Sequence, residues 1–306
     1  MNHISKKILS EYQVRKTKKQ KTRFIEFIRE NIPEAKIEQG GFGNNRNIVV
    51  GDVDKAEVVF AAHYDTCAVL PFPNLITPKN ILFTILYGLI IALPFLVVFI
   101  ALDSFLLEVT DNFFFSYWVS FVVFMGLMLL VFMGGVPNKH TANDNTSGVV
   151  TLCELMFSMT SEERGRYAFV FFDNEENGLL GSSYFRKIHK SQMQNKLLVN
   201  LDCVGDGDNL LIVESKPAKD RYGSFMREAF SEDDSLRVLF ESSSTTFYPS
   251  DQAGFPVNIA MATVKRKPVL GLYMDRIHTR RDTVCEEKNI QYIVKGLKAF
   301  ILYMSK

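Results

Sequence analysis

The sequence predicts an α/β domain, a mixed and mostly parallel central sheet sandwiched by helices, into which a two-helix membrane-spanning hairpin is inserted. Three observations carry this expectation. Short apolar runs of strand length alternate with longer stretches of helical period, the pattern of a sheet covered on both faces. Two long segments, Ile81 to Leu102 and Phe113 to Asn138, contain no charged residue. Once those are set aside, residues 1–77 and 139–306 read as one continuous pattern.

The strand-like runs are 47–51 (NIVVG), 57–62 (EVVFAA), 167–173 (YAFVFFD), 196–202 (KLLVNLD), 209–214 (NLLIVE), 257–262 (VNIAMA) and 269–273 (VLGLY). Runs this uniformly apolar suit strands buried on both faces. Between them, 147–159, 178–190 and 286–304 have the longer period of helices. The expected division is therefore a domain made of 1–77 and 139–306, with 1–25 as a basic N-terminal arm and 78–138 as the inserted hairpin.

Each uncharged segment is long enough for a helix that crosses a hydrocarbon core of roughly 30 Å, which takes about 20 residues. Pro94 interrupts the first, a breach that membrane helices tolerate when the freed carbonyl finds a partner. Residues 103–112 (DSFLLEVTDN) are expected to form the connecting loop, with three acids and no base, while Lys79 and Lys139 flank the hairpin. Lys and Arg collect on the cytoplasmic side. The expectation is an integral membrane protein with both hairpin ends and the main domain facing the cytoplasm and a lipid bilayer as partner.

A net charge of +1 gives no reason to expect nucleic acid. The charge is unevenly placed: between Lys6 and Arg23 lie eight basic residues against the single acid Glu11. Such a stretch is read as a solvated helix face, with anionic lipid headgroups as the other destination. Cys67, Cys153, Cys203 and Cys285 are scattered, a spacing that suits neither a zinc ribbon nor a redox pair. Free thiols favour a reducing compartment.

Several strand patterns end in acids or histidine. Phe60-Ala61-Ala62 leads into His63-Tyr64-Asp65, Phe171-Phe172 into Asp173-Asn174-Glu175-Glu176, and Val199-Asn200-Leu201 into Asp202. In open α/β sheets, sites collect at the carboxyl ends of strands. Carboxylates gathered there repel one another unless something positive lies between them, and His with Asp and Glu is a donor set suited to zinc.

Six stretches, 61–66 (AAHYDT), 142–149 (ANDNTSGV), 171–185 (FFDNEENGLLGSSYF), 200–207 (NLDCVGDG), 250–256 (SDQAGFP) and 277–283 (IHTRRDT), carry a resemblance. In this order they resemble the di-zinc aminopeptidases, zinc metallopeptidases of the bacterial leucyl aminopeptidase and glutamate carboxypeptidase type. The resemblance implies a zinc exopeptidase fold and two Zn²⁺ per chain. His63 would hold one metal with Asp202, Asp144 would bridge, and Glu176 and His278 would hold the second. Asp65 would orient His63, and Glu175 would stay off the metals as the general base. Asp251 is the weaker candidate, a turn acid or a substrate contact. Two positions depart from the pattern: Ile277 stands where some relatives have tyrosine, and Gln252 where many have histidine.

The activity implied is hydrolysis of the N-terminal peptide bond of peptides, with hydrophobic or membrane-associated peptides as the expected substrates. The other readings are a catalytically inactive membrane scaffold on the same fold, and a related carboxypeptidase or glutaminyl cyclase. Cys67 and Cys203 adjoin the expected ligands but read as small buried hydrophobes.

Overall fold

The computed structural model describes residues 1–230 and 236–305. Helices α1 (His3–Glu11) and α2 (Lys18–Asn31) open the chain, followed by strands β1 (Lys36–Gly40), β2 (Asn45–Val50) and β3 (Val58–His63). The apolar helices α3 (Ile81–Thr110) and α4 (Phe113–Phe132) come next, then α5 (Gly148–Phe157) and the single turn α6 (Ser161–Arg164). Strand β4 (Tyr167–Phe172) leads to α7 (Leu180–Ile188), the short α8 (Lys190–Met193), β5 (Leu197–Leu201) and β6 (Asn209–Glu214). The chain ends with α9 (Lys216–Ala229), β7 (Arg237–Ser242), β8 (Asn258–Lys267), β9 (Gly271–Tyr273) and α10 (Glu287–Met304).

The strands form one sheet in the order β1-β2-β4-β3-β5-β8-β6-β7, with β9 added alongside β8. Its centre, β4-β3-β5-β8, is parallel; β1, β2 and β6 join antiparallel, and β7 runs parallel to β6. Strand β3, from before the hairpin, lies between β4 and β5, from after it. The two halves of the chain therefore share a single sheet.

Side-chain alternation divides the core between the two faces. Val58, Phe60 and Ala62 of β3 join Phe169 and Phe171 of β4 against Val149, Leu152 and Met156 of α5 and Ile293, Leu297 and Phe300 of α10. Val59, Ala61, Val170 and Phe172 point the other way, onto Phe185 of α7 and Phe255. Every residue of β3, β4 and β5 is buried, which is why those runs carry no polar alternation.

Helices α3 and α4 are long and apolar enough to cross a membrane, with mean hydropathy of 2.8 and 2.2. Their apolar side chains lie almost entirely outside the core of the domain. Ser116 and Ser120 are buried, and Phe99 of α3 meets Tyr117 and Phe124 of α4 edge-on.

The structure corrects the expected loop at 103–112. Helix α3 continues to Thr110, and only Asp111 and Asn112 form the connection. The stretch 103–110 holds no glycine or proline to stop a helix, and its Phe and Leu residues continue the apolar surface. Termination waits for Asp111, which adopts a left-handed conformation, and for Asn112, whose side chain caps α4 by accepting the Phe115 N–H.

The basic stretch near the N-terminus is also not one solvated face. Lys6, Lys18, Lys19 and Arg23 are exposed, but Arg15 and Lys21 are buried. A capping box between Thr17 and Gln20 starts α2 just ahead of Lys21. Phe24, Phe27 and Ile28 then carry α2 into the core, and Lys21, one turn before them, goes in as well.

Candidate metal centre

The parallel strands deliver their carboxyl ends to one edge of the sheet. His63 is the last residue of β3, Asp202 follows β5, and Glu175 and Glu176 lie just beyond β4. Asp144 sits in the turn 142–147 that leads into α5, and His278 in the loop between β9 and α10.

His63 is 1% exposed, and its two ring nitrogens face different groups. Nδ1 lies 3.1 Å from the Asp65 carbonyl and 3.6 Å from Asp65 Oδ1. Nε2 faces Asp144 Oδ1 at 3.4 Å and Asp202 Oδ1 at 3.6 Å. The other oxygen of Asp144, Oδ2, faces His278 Nε2 at 2.9 Å, and Glu176 Oε2 is 3.4 Å from that same nitrogen. Asp144 thus divides its two oxygens between the two histidines.

Asp65 connects the neighbouring elements. Its Oδ1 accepts the Glu175 N–H at 2.9 Å and its Oδ2 the Glu176 N–H at 3.2 Å. One carboxylate therefore fixes the start of the glutamate pair and lies against the His63 ring.

The turn bearing Asp144 is held from both sides. Asn145 donates through Nδ2 to the Leu201 carbonyl at 3.0 Å, and its Oδ1 accepts the N–H groups of Gly148 and Cys203. Gly148 is required by close approach: a Cβ there would lie 2.3 Å from the Leu201 carbonyl oxygen. From the opposite side, Asp282 accepts the Asn143 N–H at 2.8 Å and the Asp144 N–H at 3.0 Å. Three non-glycine residues at or beside the cluster, Asn174, Cys203 and His278, have positive φ angles of 56°, 56° and 58°. Strain of this kind persists where surrounding contacts over-determine the backbone.

Electrostatics reflect crowding of like charge in a buried place. Burial raises Glu176 to about 8, with Asp144 adding to the rise and His278 opposing it. Burial likewise pushes Glu175 well above the usual carboxylate range. Burial disfavours the His278 imidazolium, yet Glu176 and Asp144 outweigh it and hold its pKa at about 10. His63 is also raised well above its ordinary value, because Glu175, Asp144 and Asp202 overcome the cost of burial.

The donor set fits divalent cations. Among the described residues, no lysine or arginine ion-pairs with Asp144, Glu175, Glu176 or Asp202. Glu176 Oε1 and Asp202 Oδ1 are buried without a hydrogen-bond partner, a costly condition that a metal ion would relieve. His63, Asp144 and Glu176 offer donor atoms within 4.8 Å of one another, and so do His63, Glu175 and Asp202. Donor atoms of Cys67, Glu176 and His278, and of Cys203, Asp144 and Asp202, likewise lie within 4.8 Å of one another. Burial pushes both thiols well above their ordinary range, which keeps them protonated and weak as donors.

A cavity of about 220 Å³ opens onto this cluster. His63, Asp144, Glu175, Asp202 and His278 line its polar side, and Leu75, Ile76, Phe247 and Ile277 are among its apolar walls. Thr84 of α3 lines it too, so the first turns of the apolar hairpin border the same space. Glu176 is not part of the lining; Glu175 is.

Asp251 does not line this cavity. It is 1% exposed and starts a short 3₁₀ turn, Asp251–Gly254, and both of its oxygens are buried without a hydrogen-bond partner. Burial raises it to about 7. Asp251 is thus a buried acid at the start of a tight turn. Asp282 is the converse case, a residue inside the 277–283 stretch whose grip on the Asp144 backbone no local pattern announces.

The family model described as peptidase family M28 matches residues 131–295, more than half of the chain. The chain belongs to peptidase family M28. The M28 chain is accordingly a hydrolase, a zinc metallopeptidase. No curated protein matches it in sequence. Solved structures with a similar fold include the LapA aminopeptidase of Legionella pneumophila, at 14% identity and a TM-score of 0.55, covering 98% of this chain and 67% of that one. LapB from the same organism gives 14% identity and a TM-score of 0.54, over 98% and 70% of the two chains. PhTET1-12s of Pyrococcus horikoshii, described as a dodecamer, gives 13% identity and a TM-score of 0.50, covering 98% of each chain. At these identities the likeness establishes the fold.

Proposed function

We propose that this M28 peptidase is a membrane-anchored aminopeptidase with a two-metal centre. His63 and Asp202 would hold one Zn²⁺ and Glu176 and His278 the other, with Asp144 between them. The observation that carries the proposal is the division of the Asp144 carboxylate, one oxygen toward each histidine. Two zinc ions bound in this way supply Lewis acidity, polarising a carbonyl oxygen and lowering the pKa of water.

The protein's own groups do the rest. Glu175 lines the cavity and would accept a proton from the attacking water and return it to the leaving amine. Glu176 Oε2 lies 3.4 Å from His278 Nε2, and Glu176 offers a donor atom within 4.8 Å of those of His63 and Asp144, which supports its role as a ligand. The free amine of a peptide is a cation and would be held beside these carboxylates, which restricts cleavage to the N-terminal bond. An inactive scaffold has no physical need for converging buried carboxylates.

The anchor reading is supported by α3 and α4, whose exposed side chains are mostly Leu, Ile, Val, Phe and Met. Lys79 and Lys139 flank the base of the hairpin, whereas Asp103, Glu108 and Asp111 occupy its distal part. That distribution supports a cytoplasmic peptidase domain. Because Thr84 lies one turn into α3 and also lines the cavity, the site opens near the bilayer surface. Hydrophobic or membrane-associated peptides are therefore the substrates we assign.

The test is to screen the detergent-purified chain against aminoacyl fluorogenic substrates, with metal counted by elemental analysis. Chelator-sensitive release of an N-terminal residue at two zinc ions per chain is expected. No hydrolysis at full zinc loading would refute the aminopeptidase reading, and a single zinc at saturation would refute the two-metal centre.

A further inference from the structure

Residues 12–21, the link between the first two helices and the first turn of the second, bond to segments that bear the donors of the centre. Arg15 is fully buried. Its Nε donates to the Tyr64 carbonyl, and its Nη1 donates to the Tyr12 carbonyl and, at 3.1 Å, to Thr146 Oγ1. Its backbone N–H donates to Thr66 Oγ1 at 2.9 Å. Tyr64 and Thr66 surround Asp65 just after His63, and Thr146 lies two residues after Asp144. One side chain thus joins the end of β3 to the turn that carries Asp144.

The same stretch makes two further attachments. Gln13 accepts from Thr141 twice: its carbonyl takes the hydroxyl, and its Oε1 takes the N–H at 3.3 Å. Lys21 is buried, and its Nζ donates to Asp173 Oδ1 and Asn174 Oδ1, each at 2.6 Å. Asp173 and Asn174 immediately precede Glu175 and Glu176. A guanidinium and an ammonium are costly to bury, and cheaper apolar side chains would serve for packing alone. Lys21 spends both of its hydrogen bonds, and Arg15 all but the one to Tyr12, on segments that lead into or out of the proposed ligands.

We propose that Arg15 and Lys21 are positioning residues of the metal centre: the N-terminal arm is a clasp that sets the mutual placement of His63, Asp144 and the Glu175–Glu176 pair. The inference rests on the two-metal reading above. It concerns geometry rather than charge, because a cation behind a metal site repels the metal. The fork of Arg15 matters, since two segments are joined through two of its nitrogens and an ammonium cannot reproduce that arrangement.

The experiment uses the full chain in detergent, with Arg15→Met, Arg15→Lys and Lys21→Met, and Phe27→Leu as a control that loosens the packing of the arm without touching a donor segment. Zinc affinity is read by chelator competition, turnover as kcat and KM separately, and folding by thermal melting of the metal-free protein. Outer partners of metal ligands typically contribute about ten- to a hundredfold in affinity. Arg15→Met and Arg15→Lys should both weaken zinc by about that factor, and Lys21→Met should lower kcat with little change in KM. Phe27→Leu should lower the melting temperature with zinc affinity unchanged. If Arg15 acted by charge alone, Arg15→Met would tighten zinc and Arg15→Lys would leave it as it was; either result overturns the proposal. Equal affinity losses in Phe27→Leu and the Arg15 variants would overturn it as well. Should the Arg15 variants fail to fold, Lys21→Met decides: wild-type kcat at full zinc loading refutes the clasp. A wild-type chain that binds no zinc refutes the two-metal reading itself, a result distinct from variants that match a zinc-binding wild type.

Discussion

The Asp282 carboxylate accepts the backbone N–H of Asp144 at 3.0 Å, and through its other oxygen that of Asn143 at 2.8 Å. A buried acid from the loop after His278 therefore fixes the backbone of the residue that faces both histidines. Asp282→Asn keeps the shape but leaves one of the two N–H groups against an amide that cannot accept. We expect zinc affinity to fall about ten- to a hundredfold, as is typical for a partner one step from the metal. Chelator competition measures it, and wild-type affinity would show that the Asp144 turn holds itself.

Glu175→Gln separates catalysis from metal binding. The amide cannot accept a proton, so turnover should fall on the order of 10²–10⁴-fold. Metal content should stay at the wild-type value. His278→Ala should instead lose one metal. Elemental analysis beside kcat discriminates these roles. If Glu175→Gln lost a metal and Glu176→Gln kept both, the assignment of the pair would be reversed.

The crowded carboxyls set a pH dependence for the metal-free protein. Asp251 and Asp282 are raised to about 7 and Glu176 to about 8, each chiefly by burial. Such groups hold protons that the unfolded chain releases near pH 4, so ionising them costs stability as pH rises. His278, raised to about 10, contributes stability that is complete below its unfolded pKa of 6.5 and is lost as pH climbs through the folded value. The two effects have the same sign. Between about pH 5 and pH 9 the folded chain binds more protons than the unfolded one, and stability falls with rising pH. Asp65 and Asp144 are shifted down, so their opposite contribution belongs to more acidic solutions. Melting temperatures should decline across this range without metal, and zinc should restore most at the alkaline end. A metal-free melting temperature that climbed with pH would contradict the buried-acid account.

Much of this arrangement is legible in the amino-acid sequence. The runs at 57–62, 167–173 and 196–202 announce buried parallel strands because a strand covered on both faces needs no polar alternation. Their terminal residues announce the centre because such strands deliver carboxyl ends to one edge. Strand β1 escapes because Lys36–Gly40 (KIEQG) is a charged edge strand with one apolar residue. Helix α9 could have been found: Ser215 caps it and Pro217 stands in its first turn, though Gly223 breaks its pattern. Arg15 could not. Nothing local distinguishes it from the seven other cations nearby, and its burial depends on partners at 64 and 146, remote in sequence.

The hairpin yields a topology test at its corrected tip. Asp111 and Asn112 form the whole connection, so Asp111→Cys places a thiol at the turn. Impermeant maleimide should reach it only from outside the cytoplasm. In the wild type, Cys67, Cys153 and Cys203 are buried and Cys285 partly so, which keeps the background low. Labelling confined to the cytoplasmic side would reverse the orientation.

The last prediction concerns selectivity. Thr84 belongs to α3, bonds Thr77 hydroxyl to hydroxyl at 2.8 Å, and lines the cavity of about 220 Å³. That volume suits one apolar side chain rather than an extended ligand, given that pockets for drug-sized molecules start near roughly 300 Å³. Thr84→Phe projects a ring into this space. A single misfit methylene in an apolar pocket is worth about 1–3 kcal/mol, or roughly 10–200-fold. The variant should therefore lose at least tenfold in kcat/KM for leucyl or phenylalanyl substrates while alanyl substrates change little. If all three fell together, the ring would be disturbing the metal centre rather than the pocket. If none changed, the hairpin would be a tether with no part in the site. Replacing 78–138 by a Gly/Ser linker, with an unrelated anchor at the N-terminus, extends the comparison from one side chain to the whole element. A hairpin that shapes the site predicts a changed ratio of cleavage between lipid-bound and soluble peptides in that variant, and an unchanged ratio leaves the hairpin only its anchoring role.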